Sequence, residues 1–165
     1  EEAVDKARGI EEIPEAEETA FNLPIPAILS ERYIENEMLR LQMYKKIAMI
    51  TSDEDESEII DELLDRFGDI PKATMNLIKI SKIRAMAGKL GISEISQQGY
   101  KIIFKLLENV KLTERIMAGL ISTYGGRMMI NGGREPYIRL TIGKDAPLQA
   151  IEKFLQIAVG ERKPN

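Results

Sequence analysis

The chain has 165 residues, of which 44% are hydrophobic and 30% are charged, and its formal net charge at pH 7 is −4. This composition is typical of a globular domain that is long enough for one good core or for two small lobes. The sequence contains no histidine and no cysteine, which excludes serine–histidine and cysteine–histidine catalysis, disulfide bonds and the usual zinc sites. No apolar run approaches the ~20 residues of a membrane span, so we expect a cytoplasmic protein without membrane contact.

The first twenty residues are strongly acidic and carry a net charge of −6. We interpret residues 1–20 as an acidic linker to an upstream part of a longer protein, because like charges with few apolar neighbours disfavour a packed structure. Residues 21–158 are predicted to form the folded domain, and residues 159–165 a C-terminal tail. The acidic residues of the linker are Glu1, Glu2, Asp5, Glu11, Glu12, Glu15, Glu17 and Glu18, against the basic residues Lys6 and Arg8.

A proline-containing segment from Phe21 to Leu29 follows the linker. Pro24 and Pro26 rule out a central strand, which leaves an edge strand or a docked, polyproline-like arm. The next element is predicted to be a helix from about Glu35 to Ile50. Its buried residues are expected to include Met38, Leu41, Ile47 and Ala48.

Two further helices are predicted before Gly91. The second helix covers about Glu54 to Phe67, and Asp53 and Glu56 have the spacing of a capping box at its start. The third helix runs from Pro71 to Leu90 and stops at Gly91, because glycine suits a left-handed helix end. Three consecutive helices with short joints indicate a helical lobe. The packing side of the third helix is predicted to be Leu77, Ile80, Ile83 and Ala87.

The third helix is also rich in basic residues, which leave two interpretations open. The simpler one is a solvated helix face opposite the packing side. The alternative is the nucleic-acid-binding surface of an accessory domain, although such domains usually carry a net basic charge and a denser basic patch. The residues concerned are Lys72, Lys79, Lys82, Arg84 and Lys89.

After Gly91 the pattern changes to two successive ββα units. The turns are predicted at Gln97-Gln98-Gly99 and Asn131-Gly132-Gly133-Arg134, and Gly125-Gly126 ends a helix without forming a phosphate-binding loop. We therefore predict an α+β fold in which a three-helix N-terminal lobe packs with a small antiparallel sheet and two further helices (ββαββα). The predicted elements are the strands Ile92–Ser96 and Tyr100–Leu107, the helix Leu112–Tyr124, the strands Arg127–Ile130 and Tyr137–Ile142, and the helix Pro147–Ala158.

The stretch from Glu62 to Pro71 is the most informative of the chain. It predicts the end of one helix and the start of the next, because Gly68 suits a left-handed C′ position and Asp69 suits a helix start. Pro71 is similarly suited to a first helical turn. The apolar stripe of the helix that ends here is predicted to be Ile59, Ile60, Leu63, Leu64 and Phe67.

The same stretch resembles the C-terminal domain of bacterial transcription-repair coupling factors, the Mfd family. Leu39 to Ala48 resembles the family as well, and the resemblance extends from about Phe21 to Ala158. It implies a regulatory domain behind an ATP-driven double-stranded DNA translocase that displaces stalled RNA polymerase and recruits UvrA. It further implies an autoinhibitory protein-interaction domain, which docks on a UvrB-like N-terminal module of the same protein, masks UvrA binding and restrains the translocase.

The resemblance also implies which residues touch the UvrB-like module. They are Glu62 and Asp65, whose family counterparts face arginines, and Glu58 one turn earlier is expected to join them. Arg66 has the i, i+4 spacing to pair with Glu62 and so to neutralise it partly. We expect no catalytic, metal-binding or cofactor-binding residue and no enzyme activity in this fragment, since it lacks a Walker motif. ATP and magnesium would belong to the motor domains of the parent protein.

Overall fold

The structure, a computed structural model, describes residues 18–160 of the chain. It contains a helical unit of residues 24–85 and a sheet unit made of the described residues before and after it. The helical unit holds α1 (Glu37–Ala48), α2 (Asp53–Phe67) and most of α3 (Lys72–Lys89). The sheet unit holds β1 (Ala20–Asn22), β2 (Ile92–Gln98), β3 (Lys101–Leu106), α4 (Glu114–Tyr124), β4 (Met128–Asn131), β5 (Tyr137–Thr141) and α5 (Pro147–Val159).

The fold starts earlier and ends later than the sequence predicts. Thr19 is buried and its hydroxyl donates to the carbonyl oxygen of Ile92 at 2.8 Å, while Ala20 already begins β1. The last residues assigned to the acidic linker therefore belong to the sheet unit. At the other end, α5 extends to Val159, the first residue of the predicted tail, and Gly160 caps it. The rest of the predicted linker and tail, residues 1–17 and 161–165, lies outside the described residues.

The proline-containing segment adopts both of the structures that its sequence left open. Its start is an edge strand, β1, and the residues that follow form an arm docked on the N-terminal end of α3. The Ile28 N–H donates to the Ala73 carbonyl oxygen at 3.2 Å, and the Thr74 hydroxyl donates to the Ile28 carbonyl oxygen at 3.0 Å. The amide of Asn76 donates to the Pro26 carbonyl oxygen at 3.0 Å. These bonds satisfy backbone groups that no strand partner reaches.

The buried side of α1 differs from the prediction. Of the four residues predicted to be buried, only Ile47 is, and it faces the core together with Met43. Met38 and Leu41 expose 66% and 51% of their surface, and Ala48 is exposed as well. Apolar residues lie on opposite sides of this helix, so helical periodicity alone does not identify the side that packs.

The start of α2 is capped one residue earlier than the sequence suggests. Ser52 is the N-cap, and its side chain accepts the N–H of Asp55 at 3.1 Å. The Asp55 carboxylate accepts the backbone N–H and the hydroxyl of Thr51 at 3.0 and 3.1 Å, and these bonds lower the pKa of Asp55. Asp53 and Glu56, which have the spacing of a capping box, bind the side chain of Lys82 instead.

The apolar stripe of α2 is narrower than predicted. Ile59 and Leu63 are buried in the core of the helical unit, and Ile60 and Phe67 are packed against that core and partly buried. Leu64, the fifth predicted member, exposes 46% of its surface. The prediction for Leu64 is therefore wrong, since the stripe follows one side of the helix and Leu64 lies beyond its edge.

The side chain of Tyr33 holds the C-terminal end of α2. Its hydroxyl oxygen lies 2.9 Å from the carbonyl oxygen of Gly68 and 3.2 Å from that of Leu63. Burial, and to a lesser extent the Asp69 carboxylate, raise the pKa of Tyr33 above its ordinary value of 10.0. Gly68 is the C-cap and has a φ of +85°, so the helix ends at a positive-φ glycine as predicted, but its ψ of −160° differs from the left-handed helical conformation that was expected at a C′ position.

Replacing Tyr33 by phenylalanine is expected to lower the free energy of unfolding by about 1 kcal/mol, the usual worth of a hydrogen bond between protein groups. The raised pKa means that the stability contributed by the Tyr33 hydroxyl is present below pH 10.0 and falls as the pH rises through the folded-state pKa. Urea denaturation at neutral and at alkaline pH measures both effects. Equal stabilities of the two proteins at neutral pH would show that the hydroxyl contributes nothing.

The sheet is mixed, and not wholly antiparallel as predicted. Its strand order is β1-β2-β3-β5-β4, and every pair is antiparallel except β1–β2. A parallel pair needs a long connection, and the segment that carries the three N-terminal helices supplies it. The ββαββα order after α3 and the α+β class are confirmed.

The two helices of the sheet unit cover one face of the sheet. The rings of Phe104 in β3 and Phe154 in α5 stack with centroids 4.0 Å apart, and Tyr124 in α4 lies 5.8 Å from Phe154. Ile116, Leu120 and Tyr124 are buried along one side of α4, as their spacing predicted. The hairpin between β2 and β3 closes with Gly99 at φ +58°, one residue later than the centre of the predicted turn.

Candidate protein-docking site

The predicted contact residues lie together on one face of α2. At about 100° per residue, Glu58, Glu62 and Asp65 fall within a sector about 60° wide. The buried residues Ile59 and Leu63 point in other directions, into the core. We call these three carboxylates the acidic face. Glu58 and Asp65 are exposed, and the side chain of Glu62 exposes 26% of its surface.

Glu62 is held by two cations. Lys46 Nζ donates to both carboxylate oxygens at 3.0 and 2.9 Å, and Arg66 Nη1 donates to one of them at 2.6 Å. The bonds from Lys46, and then those from Arg66, lower the pKa of Glu62 below its ordinary value. The pairing with Arg66 is the one that the spacing predicted. The contact with Lys46 joins α1 to α2, and no local pattern in the sequence indicates it.

Glu58 and Asp65 differ from Glu62 in having no such compensation from the part of the chain that the structure describes. Neither carboxylate has an ion-pair partner among residues 18–160. Their charges therefore face solvent on either side of Glu62, which is already neutralised by its own neighbours. Within the acidic face, Glu58 and Asp65 are the groups best able to attract a cationic partner.

The basic residues of α3 do not all lie on a solvated face of the helix. Lys82 exposes 3% of its surface, and its Nζ lies 2.7 Å from Asp53 Oδ1 and 3.0 Å from Glu56 Oε1. Lys79 Nζ lies 3.0 Å from the other carboxylate oxygen of Glu56. The prediction that Lys82 lies on a solvated face is therefore wrong, because two carboxylates of α2 draw it into the helical unit.

The remaining basic residues of α3 are Lys72, Arg84 and Lys89, all of them exposed. With Lys82 buried and Lys79 occupied by Glu56, the helix presents fewer cations to a nucleic acid than its sequence suggests. Among residues 18–160, no three acidic side chains converge closely enough to hold a metal ion. Across the same residues, none of the helices has the length and apolarity that crossing a membrane requires.

Comparison with known proteins places the chain in a family. The sequence model of the family described as the TRCF domain matches residues 23–116, which is more than half of the chain. The chain belongs to the TRCF domain family. This confirms the resemblance found in the stretch from Glu62 to Pro71, which lies within the matched residues.

Two relatives of this TRCF domain are transcription-repair-coupling factors of staphylococci. The protein of Staphylococcus aureus (strain USA300) is 39% identical over 166 residues, covering 98% of this chain and 14% of the relative. The protein of Staphylococcus haemolyticus (strain JCSC1435) is 33% identical over 159 residues, covering 94% of this chain and 13% of the relative. The chain thus spans about one seventh of the length of these relatives.

A solved structure shares the fold of this TRCF domain. The crystal structure of the C-terminal domain of a transcription-repair coupling factor matches with a TM-score of 0.71 at 22% sequence identity. The match covers 87% of this chain and 94% of the solved one. The α+β architecture predicted from the sequence is therefore that of the C-terminal domain of these factors.

Proposed function

We propose that this TRCF domain is an autoinhibitory protein-interaction domain of a transcription-repair coupling factor. It docks on the UvrB-like module of the same protein and masks the surface that binds UvrA. By docking, it also restrains the ATP-driven DNA translocase that displaces stalled RNA polymerase. The observation that carries the proposal is the acidic face of α2, where Glu58 and Asp65 are exposed without an ion-pair partner among residues 18–160.

An exposed acidic face suits a contact that must be released. Ion pairs at the rim of an interface give orientation and specificity with limited affinity, and exposed pairs are worth only ~0.2–1 kcal/mol each. Several such pairs hold a domain in place while leaving it free to detach when a partner competes. The face is also pre-organised, since the buried side of α2 fixes the helix in the core of the helical unit.

Glu62 has a different part in this arrangement from Glu58 and Asp65. Because Lys46 and Arg66 already compensate its charge, a cationic partner gains less from Glu62 than from its neighbours. We assign the direct contact to Glu58 and Asp65. Glu62 links α2 to α1 through Lys46, and it orients Arg66 beside the acidic face.

Reversing Glu58 and Asp65 together to lysine is expected to weaken docking at least about tenfold at low salt, because each change removes an attraction and adds a repulsion. The measurement is calorimetric titration of the chain into the parent factor from which this region has been deleted. In the full-length factor, the same double reversal should raise basal ATPase activity and UvrA binding together. The loss of affinity should shrink at high salt, where the charges are screened.

The matched control reverses Lys72 and Lys89, two exposed cations of α3, to glutamate. This control should dock like the unmodified chain and leave ATPase activity unchanged. Wild-type affinity of the Glu58/Asp65 variant at low salt would refute the assignment of the acidic face. Tight binding of duplex DNA by the chain, lost in the Lys72/Lys89 variant, would instead support a nucleic-acid-binding accessory domain.

A further inference from the structure

The sheet has one face that the helices of its own unit leave open. Side chains alternate between the two faces of a strand, and in β3 the buried Phe104 stacks on Phe154 of α5. Ile103 therefore points away from α4 and α5, and the strand register places residues of β2 and β5 beside it. We call this side of the sheet the open face. Six of its residues are Glu94 in β2, Lys101, Ile103 and Lys105 in β3, and Tyr137 and Arg139 in β5.

Cations outnumber carboxylates on the open face. The five strands of the described sheet place four charged side chains there, of which Glu94 alone is acidic, and it pairs with Lys105 at 3.3 Å. Among residues 18–160, Lys101 and Arg139 have no ion-pair partner. Arg139 is paired in register with Ile103, which makes Lys101 its diagonal neighbour at about 7–8 Å. Two like charges at this distance repel each other, so an anion bound between them would relieve an unfavourable interaction.

The charges that border the open face do not compensate these two cations. The described residues of the sheet unit carry a net charge of +3, whereas those of the helical unit carry −3. The turns around the open face contribute equal numbers of acidic and basic side chains. They are the ion pairs Arg134–Glu108 and Arg127–Asp145, with N–O distances of 2.7 and 3.6 Å, and the single residues Glu135 and Lys144.

A depression crosses the open face from its edge strand to its uncompensated cations. It has a volume of about 550 Å³ and is lined by residues of β1, β2, β3 and β5. Asn22 lies at one end and Arg139 at the other, with Ser96 and Ile103 between them. An extended chain in this depression would cross four strands, beside polar side chains able to form hydrogen bonds.

The acidic segment, residues 1–17, immediately precedes the edge strand at which the depression begins. It has seven carboxylate side chains and two basic ones, a net charge of −5. The chain is fixed at this edge, because the Thr19 hydroxyl donates to the Ile92 carbonyl oxygen at 2.8 Å. From β1 to β5 is three strand spacings, about 14 Å, which about five extended residues can span. The carboxylates nearest to the edge along the chain are Glu11, Glu12, Glu15 and Glu17.

We propose that the acidic segment docks on the open face of its own chain, with its carboxylates against Lys101 and Arg139. A segment joined directly to the sheet has an effective concentration on the order of millimolar. Several ion pairs worth ~0.2–1 kcal/mol each are then enough to hold it. This inference is independent of the proposed function, because the open face belongs to the sheet unit and the acidic face to α2 of the helical unit.

Other anionic occupants fit the open face less well. Single-stranded nucleic acid is bound by rows of cations and several aromatic platforms, whereas Tyr137 is the one aromatic side chain that the described strands place on this face. The acidic segment beside the face would also repel phosphates. A separate acidic protein would lack the advantage of the covalent link, and protein interfaces usually have an apolar centre that this polar face does not offer.

A spin label in the acidic segment tests the proposal. The chain contains no cysteine, so Gly9→Cys creates a unique attachment point for a nitroxide, which broadens the NMR signals of nearby nuclei. The methyl groups of Ile102 and Ile103 form a matched pair, because these adjacent residues point to opposite faces of β3. At low salt the Ile103 signals should lose more intensity than those of Ile102. The difference should disappear at high salt, where the charges are screened.

The decisive variant combines Lys101→Gln with Arg139→Gln, and should abolish the selective loss at Ile103. Its matched control combines Lys89→Gln with Lys153→Gln, which removes the same charge from α3 and α5 and should leave the loss unchanged. An unchanged thermal midpoint verifies that each variant is folded.

Three results would overturn the inference. The first is equal broadening of Ile102 and Ile103, or broadening that persists in the Lys101/Arg139 variant. The second is broadening that arises only between a labelled and an unlabelled copy of the chain, which would make the occupant the segment of another molecule. The third is a single-stranded oligonucleotide that displaces the segment and binds through Lys101 and Arg139. None of these results bears on the docking of the acidic face of α2, which is measured separately.

Discussion

Replacing Leu63 by alanine is expected to lower the free energy of unfolding by about 2–5 kcal/mol, the usual cost of truncating a core leucine. Leu63 has none of its surface exposed and belongs to the core of the helical unit. The truncation removes apolar contacts from every side of the residue and leaves a cavity, which close-packed neighbours fill only in part. Urea denaturation followed by circular dichroism measures the change.

The adjacent residue provides a control of the same chemistry. Leu64→Ala removes the same atoms from a residue that exposes 46% of its surface, and we expect a change of about 0.5 kcal/mol or less. The sequence placed both leucines in one apolar stripe, so only the structure predicts this difference. Equal destabilisation by the two variants would contradict the burial of Leu63 and the exposure of Leu64 on α2.

Replacing Lys82 by methionine is expected to destabilise the helical unit by about 3 kcal/mol, because removing one member of a buried ion pair leaves the other without full compensation. Glu56 has only 7% of its surface exposed, and within residues 18–160 it would retain Lys79 as its one ion-pair partner. Methionine keeps most of the apolar stem of lysine, so the loss reports mainly on the charge. The free energy of unfolding at neutral pH is again the quantity to measure.

Two further variants separate the causes of this loss. Lys89→Met changes an exposed lysine of the same helix, and we expect it to alter stability by about 0.5 kcal/mol or less. Lys82→Met combined with Glu56→Met removes both buried charges, and should recover much of the stability, since apolar replacements of a buried pair are often neutral. A Lys82→Met variant as stable as the unmodified chain would show that the lysine is not buried in solution.

The elements of this domain could be predicted because their ends carry local chemical signals. Gly68, Gly91 and Gly125 have positive φ angles at the points where the sequence ends a helix. Ile116, Leu120 and Tyr124 follow the helical repeat along a helix with only one apolar side, so their burial was predicted correctly. In α1, by contrast, Met38 and Leu41 are as apolar as the buried Met43 and Ile47, and the repeat fits either side.

The charged residues show more clearly that the pattern within one helix does not predict its contacts with another helix. Asp53 and Glu56 fit a capping box, and Lys82 fits a solvated helix face, as long as each helix is considered alone. In the folded helical unit these three side chains meet, at 2.7 and 3.0 Å. Lys82 lies 29 residues after Asp53 and 26 residues after Glu56. Helical periodicity cannot predict contacts between residues so far apart in sequence.

The candidate site was likewise predictable in part. The spacing of Glu58, Glu62 and Asp65 puts them on one helix face, and the i, i+4 pairing of Glu62 with Arg66 is local. Lys46, which binds Glu62 from α1, and the exposure of Leu41 and Met49 are not local properties. They depend on which side of α1 packs in the core.

By itself, the sequence determined what depends on neighbours along the chain: the order of helices and strands, the turns that join them, and membership of the TRCF domain family. Helix caps, turns and helical repeats involve residues that are close in sequence, so the helices, strands and turns could be predicted without knowledge of the tertiary structure. Only the tertiary structure decided which of two apolar sides of α1 is buried and that Lys82 lies inside the helical unit. It also decided that, among residues 18–160, Glu62 has ion-pair partners and Asp65 has none. Burial and charge pairing depend on segments that are distant in sequence and adjacent in space, and their energies exist only once those segments pack together.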